Sequence, residues 1–188
     1  MTIALRRMDG GDADAVAAFL SSNRFPFHVN PAPTEAEARS RVAAGHFWSE
    51  EAQGYWIRNG AEDIGLAVLE DLADENPVFD LRLADSHRGQ GFGVPVVRAL
   101  CRLVFTEMPG VVRFEGQTRE DNVAMRKTFQ RAGFVKEAHY RQGWPMPDGT
   151  RVASVAYAIL RTDWENNTVT PLDFDDFPSE QQKQGSIR

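Results

Sequence analysis

A run of glycines near the middle of the chain carries the strongest chemical signal in the sequence. Gly89, Gly91 and Gly93 closely follow Arg88, which leaves main-chain groups bare where a ligand could approach. The run lies between a predicted strand and a long predicted helix, and the first amides of a helix have no acceptor inside it. Such amides attract anionic phosphate. The run therefore predicts a phosphate-binding loop, with a purely structural strand-to-helix turn as the alternative.

Two common phosphate loops fit this run poorly. A Walker A loop has Lys and then Ser or Thr after its last glycine, whereas Val94 and Pro95 follow Gly93. The dinucleotide fingerprint has a third glycine at a spacing that this run lacks. One feature favours it, because Glu115 lies roughly 20 residues further on, where an acidic ribose ligand would stand. A nucleotide-binding oxidoreductase is therefore a minor alternative.

The chain resembles the GNAT N-acetyltransferases at two motifs. Arg88-x-x-Gly91-x-Gly93 is similar to the acetyl-CoA pyrophosphate loop of that family. The segment 122–134, Asn-Val-Ala-Met-Arg-Lys-Thr-Phe-Gln-Arg-Ala-Gly-Phe, is similar to the family's Asn-helix-Gly-Phe segment. Residues 157–164 resemble the branch that acetylates ribosomal-protein N-termini (RimJ/RimL-like). The order of predicted elements agrees with the same family.

The resemblance implies an acetyl-CoA-dependent N-acetyltransferase that modifies a primary amine, either a protein N-terminus or a small molecule. It implies that strands four and five splay apart, that the pantetheine arm lies between them, and that the amine attacks the thioester directly. An N–H near Leu83 to Asp85 is expected to stabilise the oxyanion. The residues assigned to acetyl-CoA are Leu83, Ala84, Arg88, Gly89, Gln90, Gly91, Phe92, Gly93, Val94, Asn122, Met125 and Phe129.

Three residues are candidates for catalytic proton transfer. Glu115 could accept a proton through water, and its structural alternative is an ion pair with Arg113 or Arg82. His28 follows a Phe-Pro-Phe run and could line an acceptor cleft, or it could be a packed histidine. Tyr140 ends the predicted sixth strand, near the place where acceptors enter in the family it resembles.

Two positions depart from the family pattern. Many members have Tyr where Phe129 stands, as a proton donor to the departing thiolate, and the RimJ/RimL-like branch often has Ser where Met125 stands. Neither side chain here can donate a proton, and their spacing puts them on one helix face, as in a core. Coenzyme A would then leave unassisted or with the help of water. Alternatively, the chain is a non-catalytic module that binds acyl-CoA. Asn122 also has an alternative, as a plain helix N-cap.

The periodicity of the chain predicts an α/β domain that positions these motifs. Its single mixed sheet, mostly antiparallel, has about seven strands flanked by about four helices. Asn59-Gly60 predicts a hairpin, and Thr34 with Glu37 predicts a capped helix start. Residues 91–108 have a helical apolar period. We expect the acetyltransferase domain to span residues 1–164 and residues 165–188 to form an acidic and polar tail that is partly disordered.

Composition excludes several functional classes. The chain has 188 residues, with 21 Lys and Arg against 27 Asp and Glu, so its net charge is −6. Nucleic-acid binding usually requires basic excess, so a nucleic-acid partner is not expected. Cys101 is the one cysteine, which fits a cytoplasmic protein without disulfides or a zinc ribbon. We expect no metal, no signal peptide and no membrane span. The chain is expected to be a monomer or homodimer.

Overall fold

The computed structural model describes residues 2–174, which form one seven-stranded sheet covered by helices on both faces. Residues 175–188, most of the predicted tail, lie outside the described residues. The strands and helices are β1 (Ile3–Arg7), α1 (Ala13–Ser22), α2 (Glu35–Ala43), β2 (Ala52–Asn59), β3 (Glu62–Glu70), β4 (Val78–Leu83), α3 (Gly93–Glu107), β5 (Arg113–Arg119), α4 (Val123–Ala132), β6 (Val135–Pro145), β7 (Arg151–Leu160) and α5 (Arg161–Asn166).

The sheet opens between its two central strands. The strand order is β1-β2-β3-β4-β5-β7-β6, and every neighbouring pair is antiparallel except β4 and β5, which run parallel. These two strands pair only at Val78 and Glu115, where the Glu115 amide donates to the Pro77 carbonyl at 3.2 Å. Beyond that point they diverge. The predicted fold class and the predicted splay are both confirmed, and we call the opening the wedge.

Two hydrophobic cores cover the two faces of the sheet. Helices α3 and α4 cover the larger core, in which Phe129 stacks on Tyr157 with ring centres 5.0 Å apart. A Cβ at Gly116 would lie 2.6 Å from the Phe129 ring, so this glycine lets α4 approach β5 closely. Helices α1 and α2 cover the smaller core, which includes Val16 and Trp56. The wedge therefore has a different helix pair on each side.

Local sequence signals set several element boundaries. The Thr34 amide donates to Glu37 Oε2 at 2.7 Å and Thr34 Oγ1 accepts from the Glu37 amide, so the predicted capping box is confirmed. The helix predicted to start at residue 91 begins at Gly93 instead. Gly89 and Gly91 have φ values of +74° and +83°, which are incompatible with a right-handed helix.

The end of the described chain differs from the predicted elements. Strand β6 continues to Pro145, because a register shift between Tyr140 and Trp144 absorbs extra residues and lets pairing with β7 resume. Helix α5 was not predicted and continues past residue 164. Beyond it, Thr168 and Thr170 donate their hydroxyl groups to the Asp163 carboxylate, each at 2.9 Å. No helix within residues 2–174 is long and apolar enough to cross a membrane.

Candidate active site

Main-chain groups of β4 point into the wedge. In an antiparallel pair, residues alternate between those that bond across the pair and those whose N–H and C=O groups point away. The Ala84 amide donates to the Ile64 carbonyl at 3.0 Å, which sets the phase of this alternation against β3. Phe79, Leu81 and Leu83 therefore direct their main-chain groups toward β5. These groups are suited to an extended ligand arm that bonds along the strand edge.

Of the three residues expected to supply the N–H that stabilises the oxyanion, only one directs its amide into the wedge. The Ala84 amide is used by Ile64, and the Asp85 amide donates to Asn23 Oδ1 at 2.9 Å. The Leu83 amide faces the wedge. The Ala84 amide is therefore part of the hydrogen bonding between β3 and β4, and Ala84 lines neither of the two cavities described below.

The glycine run forms an open loop in front of α3. A Cβ at Gly89 or Gly91 would meet nothing within 4 Å, so the loop is bare toward solvent. Within residues 2–174, no backbone carbonyl accepts a bond from the amides of residues 89–91. The Arg88 guanidinium is paired with Asp85 rather than extended over the loop, and the Gln90 side chain donates to the Ser86 carbonyl. A phosphate bound here would be contacted chiefly by main-chain amides.

A cavity of about 500 Å³, which we call the loop cavity, extends from this loop along α4. It is lined by eight of the residues predicted to bind acetyl-CoA: Leu83, Arg88, Gly89, Gly91, Phe92, Gly93, Asn122 and Met125. Gln90 and Val94 do not line it. Lys127 and Arg131 of α4 do, although sequence reasoning did not select them. The pattern that could have identified them is their separation of four residues, which places both cationic side chains on one exposed face of α4.

A second cavity of about 550 Å³, which we call the polar cavity, lies beside the first. Five titratable side chains from four separate segments line it: His28, Arg41, Glu70, Asp80 and Arg82. Strand pairing brings three of these residues together. Glu70 of β3 pairs with Val78 of β4, and the side chains of Asp80 and Arg82, at alternate positions after Val78, project from the same face of the sheet. The loop after α1 and helix α2 supply the rest.

Three of these side chains form a hydrogen-bonded chain. His28 Nε2 lies 2.8 Å from Asp80 Oδ1, and Arg82 donates from Nε and Nη2 to Asp80 Oδ2 at 2.9 and 2.8 Å. The Arg82 side chain is only 5% exposed and lies over the Phe25 ring at 4.9 Å. Burial alone would raise the pKa of Asp80, but Arg82 and His28 outweigh it and hold that pKa well below its usual range.

Other polar groups of this cavity have no protein partner within residues 2–174. His28 Nδ1, Arg82 Nη1 and Trp144 Nε1 are buried without a hydrogen bond. Burial and the nearby Asp80 carboxylate raise the pKa of Glu70. Burial and the nearby Arg82 lower the pKa of Arg41. Buried polar groups are normally satisfied, so this concentration makes the cavity a candidate ligand site.

The two cavities meet at the wedge. Six residues line both of them: Phe27, His28, Leu81, Arg82, Asn122 and Met125. Asn122 caps α4, since its Oδ1 accepts from the Met125 amide at 3.2 Å, and its Nδ2 donates to Thr118 Oγ1 at 2.9 Å. The predicted N-cap role is therefore confirmed. A ligand that passed through the wedge from the loop cavity would present its end to the polar cavity.

A family model described as the acetyltransferase (GNAT) domain matches residues 2–135. The chain belongs to the GNAT acetyltransferase family. This membership replaces the oxidoreductase alternative, and the assignment of the glycine run to acetyl-CoA stays a prediction. The RimJ/RimL-like branch stays a prediction. GNAT enzymes take the acetyl group from acetyl-CoA, and the loop and wedge described above suit that ligand.

Related proteins act on different amines. A curated relative, the [ribosomal protein bS18]-alanine N-acetyltransferase of Haemophilus ducreyi, is 26% identical over 96 residues, which are 51% of this chain and 65% of the relative. Spermidine N-acetyltransferase SpeG of Vibrio cholerae, solved with CoA and spermine, gives a TM-score of 0.74 at 18% identity, covering 87% of this chain and 98% of SpeG. A chimera of SpeG and hSSAT gives 0.75 at 18% identity, covering 88% and 99%. These structures share the GNAT fold.

The catalytic candidates from the sequence are separated in this GNAT fold. Glu115 accepts hydrogen bonds from Arg113 and Gln117 and lines neither cavity, so the structure gives it the ion pair that was its alternative. Tyr140 is 48% exposed on β6 and also lines neither cavity. His28 lines both. Phe129 is 1% exposed, and its ring borders the polar cavity as part of the core.

Glu70 and Arg41 could not be predicted as site residues from the GNAT motifs. Each lies in a segment without a family motif, at the end of β3 and in α2, and the fold alone brings them together. Asp80 and Arg82 had a signal in the sequence, because alternation along one strand places both side chains on the same face, where the ion pair forms.

Proposed function

We propose that this GNAT chain transfers the acetyl group of acetyl-CoA to a primary amine by direct attack on the thioester. The supporting observation is that the loop cavity and the polar cavity meet at the wedge. A thioester that enters from the loop cavity can thus be approached by an amine from the opposite side. No covalent enzyme intermediate is needed in this geometry.

The loop cavity would hold the cofactor in two ways. Its bare amides and the first turn of α3 would bind the diphosphate, and Lys127 and Arg131 would add cationic contacts to phosphate. The main-chain groups of Leu81 and Leu83 would bond the pantetheine arm. An N–H of this strand edge would then stabilise the oxyanion that forms when the amine attacks.

His28 is the proposed base of the reaction. Its Nε2–H can donate to Asp80, which leaves a lone pair on Nδ1 of the neutral ring. The attacking nitrogen forms the new N–C bond, its proton passes to His28, and the C–S bond breaks to release CoA thiolate. Phe129 and Met125 have no proton to give, so the thiolate takes its proton from water.

The two named relatives are N-acetyltransferases of different acceptors, alanine of a ribosomal protein in one and a polyamine in the other. A second candidate function, an acyl-CoA-binding module without turnover, is favoured by one observation. Phe129 is packed against Tyr157 and has no hydroxyl to protonate the leaving group. The two functions differ in whether bound acetyl-CoA is ever consumed.

Thiol release from acetyl-CoA, measured across free amines and peptide N-termini, separates the two functions. We expect release with at least one amine, and His28→Gln should lower kcat about a hundredfold while acetyl-CoA affinity stays unchanged. His46→Gln is the matched control, because His46 is an exposed histidine outside both cavities. Tight binding of acetyl-CoA with no release on any amine would favour the module.

A further inference from the structure

Some of the charged groups that face the polar cavity have hydrogen-bond partners in the protein, and others have none. The Asp80 carboxylate is used by both His28 and Arg82. Within residues 2–174, Arg82 Nη1 is buried without a hydrogen bond. The Glu70 carboxylate and the Arg41 guanidinium, which lies over the Phe47 ring at 5.9 Å, line the cavity without a hydrogen-bond partner in the same part of the chain. These three groups are free to recognise a ligand.

The two guanidinium groups point to an anion. The Arg82 side chain is 95% buried, since only 5% is exposed, and its Nη1 has no partner. Arg41 is half-buried on α2 and close enough to Arg82 for their charges to oppose each other. The Asp80 and Glu70 carboxylates offset part of this repulsion, but neither bonds Arg82 Nη1, and a buried donor without a partner costs free energy. A carboxylate fits, because guanidinium donors match its two oxygens.

Glu70 provides the opposite charge in the same cavity. It ends β3, is half-buried, and lies near Asp80, whose negative charge opposes its own. The nearby Arg41 and Arg82 cations offset part of this repulsion, and a further cation beside Glu70 would relieve more of it and of the burial cost. The cavity therefore offers one place for an anion and one for a cation.

We propose that the acceptor is an amine that also carries a carboxylate, which Arg41 and Arg82 Nη1 bind while Glu70 attracts its ammonium group. This inference rests on the proposed acetyl transfer and names the substrate class. Two sources share the chemistry: a free amino acid, through its α-carboxylate, and a peptide N-terminus followed by an acidic side chain. A polyamine brings several cations toward two guanidinium groups and is a poor match.

Matched pairs of acceptors test the proposal. The probes are the L-amino acids with their C-terminal amides, the peptide amides Ala-Glu-Ala-Ala and Ala-Gln-Ala-Ala, and spermidine. In at least one pair, kcat/KM for the carboxylate member should exceed that of its neutral partner by about tenfold to a hundredfold. The amino acid and peptide arms distinguish the two sources. Equal rates within every pair, or preference for spermidine, would overturn the inference while leaving acetyl transfer in place.

Matched variants connect that preference to the cavity. Arg41→Gln should reduce the preference for the carboxylate member about tenfold or more, measured as the ratio of the two kcat/KM values within each pair. Arg39→Gln is the control, because Arg39 lies two positions away on the same helix and pairs with Asp14 and Glu35 outside the cavity. An unchanged preference in Arg41→Gln would contradict the assignment.

Direct binding makes the test independent of turnover. Calorimetric titration of the same probes into CoA-loaded protein should show tighter binding of the carboxylate member in the wild type and loss of that difference in Arg41→Gln. Glu70→Gln should weaken binding of the ammonium form, with Glu51→Gln, an exposed glutamate, as control. Carboxylate-dependent binding without transfer would overturn the proposed function alone. Binding that ignores the carboxylate would overturn this inference.

Discussion

The loop cavity and the polar cavity are similar in volume, about 500 and 550 Å³, but are built differently. The loop cavity combines the glycines and bare main-chain amides of one short loop with side chains of α4, β4 and the loop after α1. The polar cavity is made of charged side chains from four segments that are distant in the chain. The loop cavity thus presents the main-chain groups of its glycine loop, whereas the polar cavity presents mainly charged side chains.

This difference explains how each region can vary. Backbone amides are the same in every residue, so the loop cavity needs only that side chains be absent, as at Gly89 and Gly91. The polar cavity depends on particular charges that are coupled to each other and to folding, as Asp80 is to Arg82. We expect substitutions in the loop cavity to affect cofactor binding, and substitutions in the polar cavity to affect stability as well as the acceptor.

Asp80→Asn should have the largest effect, on stability. Removing this carboxylate leaves the buried Arg82 cation without its partner, which should cost about 3–5 kcal/mol in the free energy of unfolding at pH 7. Urea denaturation measures the loss. Asp63→Asn is the control, because the exposed pair of Asp63 with Arg58 is worth at most about 1 kcal/mol. Equal losses in the two variants would contradict the expectation that the buried charges of the polar cavity contribute more to stability than an exposed ion pair does.

The same variant has a predicted pH dependence. The pKa of Asp80 in the folded protein lies below that of the unfolded chain, about 3.9. The stabilisation by its carboxylate is therefore complete above about pH 4 and is lost as the pH falls toward the folded-state pKa. The stability difference between wild type and Asp80→Asn should shrink below pH 4, and a difference that stayed constant would contradict the ion pair.

Gly91→Glu should have the next largest effect, on cofactor binding. A side chain and a negative charge would occupy the loop, so CoA affinity should fall about a hundredfold or more in calorimetric titration. Gly60→Glu controls for backbone strain, because Gly60 also has a positive φ, +65°, and open space at its Cβ, but lies in the β2–β3 turn. CoA affinity should remain at the wild-type level in Gly60→Glu. Equal losses would show that strain, rather than the loop, is responsible.

Glu70→Gln should have a smaller effect than the preceding variants, and the effect should be a gain in stability. Since the folded protein raises the pKa of Glu70, its ionised form destabilises the fold at pH 7, and the amide should unfold with a free energy higher by less than about 1 kcal/mol. The gain should vanish below the unfolded-chain pKa, about 4.3, where the carboxylate is protonated in both states. Urea denaturation at pH 7 and pH 4 checks this, with Glu51→Gln as the reference. A loss of stability would indicate a structural role.

Glu115→Gln should have the smallest effect on the reaction. Its carboxylate is held by Arg113 and Gln117 outside both cavities, so kcat should stay within about twofold of wild type, because its removal takes no group from the reacting atoms. Steady-state thiol release over a range of pH measures it. A flattened pH profile with lower turnover would return Glu115 to the role of base and show that the site extends beyond the polar cavity.

The sequence predicted the parts of this protein that depend on local rules. The hairpin at Asn59-Gly60, the capping box at Thr34 and the cap at Asn122 follow from conformational preferences of a few neighbouring residues, and all three are confirmed. The sequence did not predict helix α5, which has only six residues and no side-chain cap. Short elements of this kind depend on tertiary packing more than on their own propensity.

The sequence by itself determined the fold class, the order of the strands and of the first four helices, and the glycine loop. Each of these depends on periodicity, on turn residues, or on backbone groups that one continuous segment supplies. Only the tertiary structure decided the polar cavity. It brought Arg41, Glu70 and His28 around the Asp80–Arg82 pair and moved Glu115 away into an ion pair. The physical reason is that a charged side chain acts through space, and spatial neighbours far apart in the chain leave no pattern in it.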